Sequence, residues 1–201
     1  MVTFEQARDL VEREVRTLEA EPVPLNRALG RSLVHDPVSL RDVPGFQNSA
    51  MDGYAVRLSD CQLNSTLEIA GIQAAGDAPI QSVRPGSCVR VMTGGVVPNW
   101  ADAVIPREET DESEARCVRL ASVPRMGANI RKANEDVAAG TLLRLKGRPL
   151  SPSDLGVLAS IGKSSVAVHR RPVVSLVCTG GELLNPQDTP REGFVVNSNA
   201  V

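Results

Sequence analysis

The sequence predicts an α+β chain with more than one structural unit, in which a small β-rich domain is inserted between two segments that contain helices. Helical periodicity is confined to the flanks, near residue 4 and again near residue 151. Between about residues 54 and 130, short β-branched runs alternate with Gly, Pro and Asp, which is typical of a small barrel or sandwich. An apolar run at 173–178 then leads into glycines, as the first strand of an α/β domain does.

The first predicted element is a helix that begins after Thr3. Thr3 and Gln6 form a capping-box pattern, and apolar residues from Phe4 to Leu18 follow at helical spacing. We expect this helix to end before Pro22, and we expect a turn and a short strand at 30–34.

The β-rich region and the second flank follow in order. Residues 66–69, 87–92, 103–105 and 117–121 are predicted strands because β-branched and apolar residues cluster there between turn residues. Ser151 as a helix cap, Pro152 at the first helical position and Asp154 in the first turn predict a second helix. Residues 165–169 alternate as a strand does.

The last segment predicts a buried parallel strand at 173–178 that opens into Thr179-Gly180-Gly181. Such a strand needs neighbours on both sides, and the roughly twenty-five residues that follow cannot supply them. We therefore expect this segment to be the beginning of a domain whose remainder is absent.

Composition excludes several classes of partner. The net charge of -2 and the 2% of aromatic residues give no electrostatic or stacking reason to expect nucleic acid or an anionic membrane. The N-terminus lacks a signal-peptide pattern, and no apolar run approaches membrane-spanning length. We expect a cytoplasmic protein, in which four widely separated cysteines remain free thiols.

Four clusters of residues could carry chemistry. The first, at 44–56, reads PGFQNSAMDGYAV and contains Asp52-Gly53 beside Asn48 and Ser49. An Asp-Gly pair alone is usually only a turn, but the carboxylate could also serve Mg²⁺ or accept a hydrogen bond. The second cluster, at 89–109, has Thr93-Gly94-Gly95 after an apolar strand, which is either an anion-binding loop or a strand-ending turn.

The third cluster, at 127–136, places Arg131 and Lys132 beside Glu135 and Asp136. It is either a surface loop with weak ion pairs or a site for a phosphorylated substrate and its metal, and the residues alone leave both open. The fourth, at 178–183, follows the predicted parallel strand, where open α/β sheets bind ligands. No dinucleotide-binding or phosphate-loop motif accompanies it.

In this order the four clusters resemble the MoeA-type molybdopterin molybdenumtransferases, which include the gephyrin E domain. The pattern P-x-F-x-N-S-A-M-D-G-Y-A is met at 44–55, and R-x-M-T-G at 90–94. The pattern G-A-D-A-V is similar to 100–104, with Trp100 in place of the usual glycine, and E-E matches 108–109. The pattern G-x-N-[IV]-R-x-x-G-E-D resembles 127–136, with Asn134 where glycine is common. The pattern S-T-G-D-E-L is approximated at 178–183, with Gly181 in the aspartate position.

The resemblance implies a role in molybdenum cofactor biosynthesis. Adenylylated molybdopterin and molybdate would be the substrates, AMP would be released, and Mg²⁺ would assist. Carried over by motif, the catalytic acids would be Asp52, Asp136 and Glu182, of which Asp52 and Glu182 would hold the metal. The cofactor-binding residues would be Ser49, Thr93, Arg131 and Thr179.

The resemblance also implies the domain plan. Residues 1–45 and 131–171 would form an elongated α/β linker and dimerisation domain, 46–130 the inserted β-rich domain, and 172–201 the start of a truncated MogA-like α/β domain. The family implies a homodimer, with molybdopterin adenylyltransferase as an upstream partner. Because family members are about twice as long, we expect the chain alone to be inactive or impaired. The alternatives are a non-catalytic dimerisation or scaffold module of the same family, and an unrelated β-rich nucleotide-binding protein.

Overall fold

The fold is taken from a computed structural model that describes residues 2–112 and 116–200. The described helices are α1 (Phe4–Glu14) and α2 (Pro152–Ser160). The strands, in chain order, are β1 (Ala20–Pro24), β2 (Asn48–Ser49), β3 (Gly53–Val56), β4 (Thr66–Gln73), β5 (Ser87–Val91), β6 (Ala103–Pro106), β7 (Thr110–Asp111), β8 (Cys117–Leu120), β9 (Ile130–Arg131), β10 (Ser165–His169), β11 (Leu183–Leu184) and β12 (Val195–Val196).

The middle of the chain forms one six-stranded, barrel-like sheet in the order β6-β3-β5-β4-β8-β7. Only β4 and β5 run parallel; the other neighbours are antiparallel. Side chains on both faces of β3 and β5 are buried, with Tyr54 and Cys88 in one core and Ala55 and Val89 in another. The expected β-rich unit is confirmed, and the four predicted strands within it lie within a few residues of β4, β5, β6 and β8.

The two flanks of the chain meet in a second core. Strand β1 pairs antiparallel with β10 from Ala20 opposite His169 to Pro24 opposite Ser165. Val23, Leu33, Leu158 and Val168 are buried together beside this pair. The predicted strand at 165–169 is confirmed, whereas the two prolines in β1 had concealed its strand character, since proline is tolerated only at the edge of a sheet.

The cap of α1 is confirmed and its predicted extent is too long. Thr3 Oγ1 accepts a hydrogen bond from the Gln6 amide at 3.2 Å, and Gln6 Oε1 accepts one from the Thr3 amide at 3.0 Å. The helix ends at Glu14 because Val15 is extended, so Leu18 lies outside it. None of the residues of α1 is buried. Around α2 the prediction holds, since Ser151 caps the helix reciprocally with Asp154.

The predicted buried strand at 173–178 is wrong for this chain. These residues form no strand, and the side chains of Val173 and Val177 are 94% and 82% exposed. An apolar run forms a buried strand only when neighbouring strands cover both faces, and the described residues provide none here. The segment that follows contains only the short parallel pair β11–β12.

The domain boundaries at 1–45, 46–130, 131–171 and 172–201 stay predictions; residues 1, 113–115 and 201 lie outside the described ranges. In the parts of the chain that the structure describes, no helix has the length and apolar character needed to cross a bilayer.

Candidate functional site

Asp52 and Thr93 form a tight pair although they are far apart in the sequence. Asp52 lies in the loop between β2 and β3, and Thr93 follows β5. The amide and the hydroxyl of Thr93 both donate to Asp52 Oδ1, each at 2.7 Å. These two bonds, assisted by Arg90 and Arg107, lower the pKa of the Asp52 carboxyl below its usual value. Asp52 is therefore ionised near neutral pH, and its Oδ2 accepts no hydrogen bond within the described residues.

The loop that carries Asp52 is anchored by Ser49. The Ser49 amide donates to Gly95 O at 3.0 Å, and Ser49 O accepts from the Gly94 amide at 2.8 Å, so this residue grips the Thr93-Gly94-Gly95 turn. Its hydroxyl donates to Met51 O and accepts from the Met51 amide at 3.3 Å. Because the side chain is buried and used within its own turn, Ser49 shapes the site and does not present its hydroxyl to solvent.

Two glycines, Gly53 and Gly95, allow close backbone packing next to Asp52 and Thr93. A Cβ at Gly53 would lie 2.1 Å from Ile105 O, and a Cβ at Gly95 would lie 2.9 Å from Met92 O and 3.0 Å from Gln73 O. Both are clashes with backbone atoms, which cannot rotate away. The glycines that looked like generic turn residues are required here by close packing.

Gln73 is a positioning residue that sequence reasoning missed. It is buried at the end of β4, and its main-chain oxygen accepts from the Met92 amide at 3.1 Å, next to Thr93. Its side-chain amide accepts from the Ile80 amide at 3.0 Å and donates to Asp77 O at 3.1 Å. The signal in the sequence was a glutamine at an inward-facing position of a strand, where an apolar residue is normal.

Trp100, which stands where the family pattern has glycine, makes two contacts with neighbouring segments. Its indole Nε1 donates to Ile80 O at 2.9 Å, and the Arg57 guanidinium lies 5.0 Å from the ring centroid. Arg57 also donates to Val83 O at 2.7 Å. Together these contacts fasten the segment 80–83 to the β-rich unit.

Arg131 and Asp136 form a second pair on the strand beside the first loop. Strand β9 pairs with β2, so that Ile130 lies opposite Ser49 and Arg131 opposite Asn48. Arg131 Nη2 lies 2.7 Å from both oxygens of Asp136. Asp136 raises the pKa of Arg131, and the pair is solvent-exposed. The cluster therefore contains the expected surface ion pair, and a ligand would have to compete with the Asp136 carboxylate for the Arg131 guanidinium.

Thr179 and Glu182 lie apart from these two pairs. They belong to the final segment, where Glu182 O accepts from the Val195 amide at 2.9 Å. Within residues 2–112 and 116–200, no hydrogen bond or ion pair joins either residue to Asp52, Thr93, Arg131 or Asp136. The structure thus brings together three of the four clusters along β2 and β9 and leaves the fourth separate.

Asp52 is the predicted magnesium ligand in the loop between β2 and β3. Among the described residues no three His, Cys, Asp or Glu side chains converge as metal ligands. Asp52 offers one free oxygen, but Mg²⁺ needs near-octahedral oxygen coordination that one carboxylate cannot define. The pairing of Asp52 with Glu182 around a metal stays a prediction.

The comparisons with known proteins agree with this arrangement. A family model described as the MoeA N-terminal region, domains I and II, matches residues 2–162. The chain belongs to the MoeA N-terminal family. The matched residues include the Asp52–Thr93 and Arg131–Asp136 pairs, and the match ends before the fourth cluster.

Individual relatives give the same result. The chain is 38% identical over 201 residues to the molybdopterin molybdenumtransferase of Haemophilus influenzae, covering 99% of this chain and 50% of the relative. It is 37% identical over 190 residues to the enzyme of that name from Bacillus subtilis, covering 90% and 44%. The crystal structure of the MoeA molybdopterin biosynthesis protein from Pyrococcus horikoshii superposes with a TM-score of 0.83 at 32% identity, covering 99% of this chain and 54% of that one. The chain spans about half the length of the relatives it matches.

Proposed function

We propose that this chain is the N-terminal portion of a molybdopterin molybdenumtransferase and contributes one wall of its active site. The observation that carries the proposal is the Asp52–Thr93 pair, held at 2.7 Å on motifs that the MoeA family shares. The reaction proposed is insertion of molybdate into adenylylated molybdopterin, in which the link between the two phosphates is hydrolysed and AMP leaves.

The chemistry of the pair suits a water-orienting or ligand-orienting role for Asp52. Its carboxylate is kept ionised by Thr93 and fixed in position, and its free Oδ2 faces no competing donor among the described residues. A preorganised anion of this kind can accept a proton or hold a water without a reorganisation cost. Thr93 gives both its donors to Asp52, so it acts mainly through that carboxylate.

Arg131, Asp136, Thr179 and Glu182 complete the proposed set. Arg131 is the natural phosphate-binding group, since its guanidinium could release the Asp136 carboxylate and bind a phosphate through two parallel N–H donors. Glu182 and Thr179 would have to be brought to Asp52 by placement of the final segment. Mg²⁺ would need ligands from outside the described residues.

The proposal includes an assembly. A homodimer, in which a second subunit faces the β-rich unit, would provide the opposite wall of the site, and a molybdopterin adenylyltransferase would supply the adenylylated substrate. We also propose that the protein is cytoplasmic.

A second candidate is a non-catalytic dimerisation or scaffold module derived from this family. The observation that favours it is the separation of Thr179 and Glu182 from the other pairs, together with the exposed apolar face of α1 and of 173–177. A module of this kind would retain the fold and the partner surfaces without completing the site.

One experiment separates the two candidates. The purified chain is incubated with adenylylated molybdopterin, Mg²⁺ and molybdate, and both substrate binding and AMP release are measured for the wild type, Asp52→Asn and Asp9→Asn. Asp9 is an exposed acid on α1 and provides the matched charge change. An enzyme fragment binds the substrate and releases AMP slowly, and Asp52→Asn alone lowers the rate at least tenfold. Absence of both binding and AMP release supports the scaffold.

A further inference from the structure

A cavity of about 500 Å³ opens along strand β4 of the barrel-like sheet. Its wall includes Glu68, Gly71, Ile72, Arg90 and Arg116. This volume is within the range that small-molecule sites occupy.

The opening follows from how β4 leaves its neighbours. Strand β8 pairs with β4 only over Thr66–Glu68, and the register between β4 and β5 shifts between Ile69 and Gly71. A bulge of this kind leaves one residue unpaired and bends the strand. The last contact on this side is the Ile69 amide, which donates to Arg116 O at 2.8 Å; the cavity lies along β4 from Glu68 to Ile72.

Arg90 enters this cavity as a cation without an anionic partner. It is partly buried on β5, and within the described residues it forms no hydrogen bond or ion pair. The two acids that feel its charge are Asp52 and Glu112. Asp52 is bound by Thr93, and Glu112 is bound by Arg107 through two contacts of 2.8 and 3.1 Å. Both acids are thus satisfied by other donors, which leaves the Arg90 guanidinium available.

A second cation and a buried hydroxyl lie near Arg90. Arg116 lines the same cavity and likewise has no ion pair in the part of the chain that the structure describes. Tyr54 lies directly opposite Arg90 in the β3–β5 register, and cross-strand partners share a face of the sheet. Its side chain is 1% exposed, and its Oη lies close to the Glu112 carboxylate. Burial raises the pKa of Tyr54 to about 12, so the hydroxyl keeps its proton.

We propose that this cavity binds a phosphate monoester, with Arg90 and Arg116 holding the phosphate group. Guanidinium groups match phosphate oxygens in geometry and charge. Two arginines outweigh the one carboxylate in the wall, that of Glu68. The volume exceeds what a bare tetrahedral oxyanion fills, so it leaves room for the organic part of an ester. The site is independent of the reaction proposed above, because it requires neither molybdopterin nor Asp52.

The test measures binding of inorganic phosphate and of glycerol 3-phosphate to the purified chain by calorimetry at constant ionic strength. We expect saturable one-to-one binding that Arg90→Gln and Arg116→Gln each weaken at least tenfold. Arg125→Gln is the matched control, since Arg125 is exposed in the same part of the chain and does not line the cavity. It should stay within twofold of the wild type. Tighter binding of the ester than of phosphate would show that the organic part is also bound.

Glu68→Gln guards against a loss of binding caused merely by misfolding. Removing the one carboxylate in the wall should tighten phosphate binding several-fold, which an unfolded variant cannot do. The proposal is overturned if the wild type shows no saturable binding, if Arg125→Gln weakens binding as much as Arg90→Gln, or if Glu68→Gln does not tighten it. None of these outcomes depends on whether the chain releases AMP.

Discussion

Replacing Gly53 by alanine should destabilise the β-rich sheet strongly, because the strand beside it leaves no space for a methyl group. The new Cβ would lie 2.1 Å from Ile105 O, 2.9 Å from the Ile105 carbonyl carbon and 3.2 Å from Pro106 Cα. Ordinary contact begins near 3.4 Å, so β3 and β6 would have to separate by more than 1 Å. Overpacking of this kind costs about 1–3 kcal/mol, and each weakened ladder hydrogen bond adds about 1 kcal/mol. We expect a total of about 2–4 kcal/mol.

Urea unfolding followed by tryptophan fluorescence measures this loss, because Trp100 is the one tryptophan of the chain and belongs to the β-rich unit. Since Asp52 adjoins Gly53, the amide resonance of Thr93 should shift as well. Gly156→Ala is the control: it lies inside α2, and nothing is within 4 Å of a Cβ there. It should stabilise the helix by about 0.5–1 kcal/mol, seen by circular dichroism. An unchanged fluorescence midpoint and an unshifted Thr93 amide for Gly53→Ala would refute the close approach of the two strands.

Three further predictions concern the cap of α2 and two anchoring contacts of the β-rich unit. Hydrogen bonds from Arg148 and then Ser151 hold the pKa of Asp154 well below its usual value of 3.8; the stability this gives is present above about pH 4 and is lost as the pH falls below it. Asp154→Asn should therefore lower the free energy of unfolding by about 1–3 kcal/mol at neutral pH and by progressively less in acid. If the free energies of unfolding of the wild type and the variant differed by the same amount at every pH, this prediction would be contradicted. Trp100→Phe keeps an aromatic ring but removes the indole donor to Ile80 O, so it should lower the free energy of unfolding by about 1 kcal/mol and speed hydrogen exchange in segment 80–83. Unchanged exchange would show that this hydrogen bond does not hold the segment. Ser49→Ala leaves the Met51 amide and carbonyl without their partner and should cost about 1–2 kcal/mol while speeding exchange of the Gly94 amide, and retained protection there would assign the anchoring to the backbone alone.

The features that the sequence predicted correctly depend on neighbours within a few residues. The capping boxes at Thr3 and Ser151 satisfy amides three positions away, and the strands β5 and β10 follow from local runs of β-branched residues between turns. In each case the residues that decide the structure lie inside the window in which the pattern is visible. The family motifs predicted the order of the four clusters along the chain, but they did not predict the contacts between the clusters.

The features that were missed depend on contacts distant in the sequence. Nothing near Asp52 indicates that Thr93 will donate to it twice, since 41 positions separate them. Gln73 looked like an ordinary strand residue until β5 placed Met92 against its carbonyl. The proline-rich β1 became a strand only because β10 paired with it. Packing partners, which no local window contains, determined all three.

The contrast between β3 and residues 173–178 shows how far an apolar run can be interpreted. All four residues of β3 are buried because β5 and β6 pair with its two edges and cores cover its two faces. The run at 173–178 is at least as apolar, yet Val173 and Val177 are exposed because no strand within residues 2–112 and 116–200 lies beside them. An apolar run therefore indicates that a strand would need neighbouring strands to be buried, but it does not indicate which part of the protein provides them. The same limit applies to the proposed site, because Glu182 follows this run directly and the position of its carboxylate depends on how the run is placed.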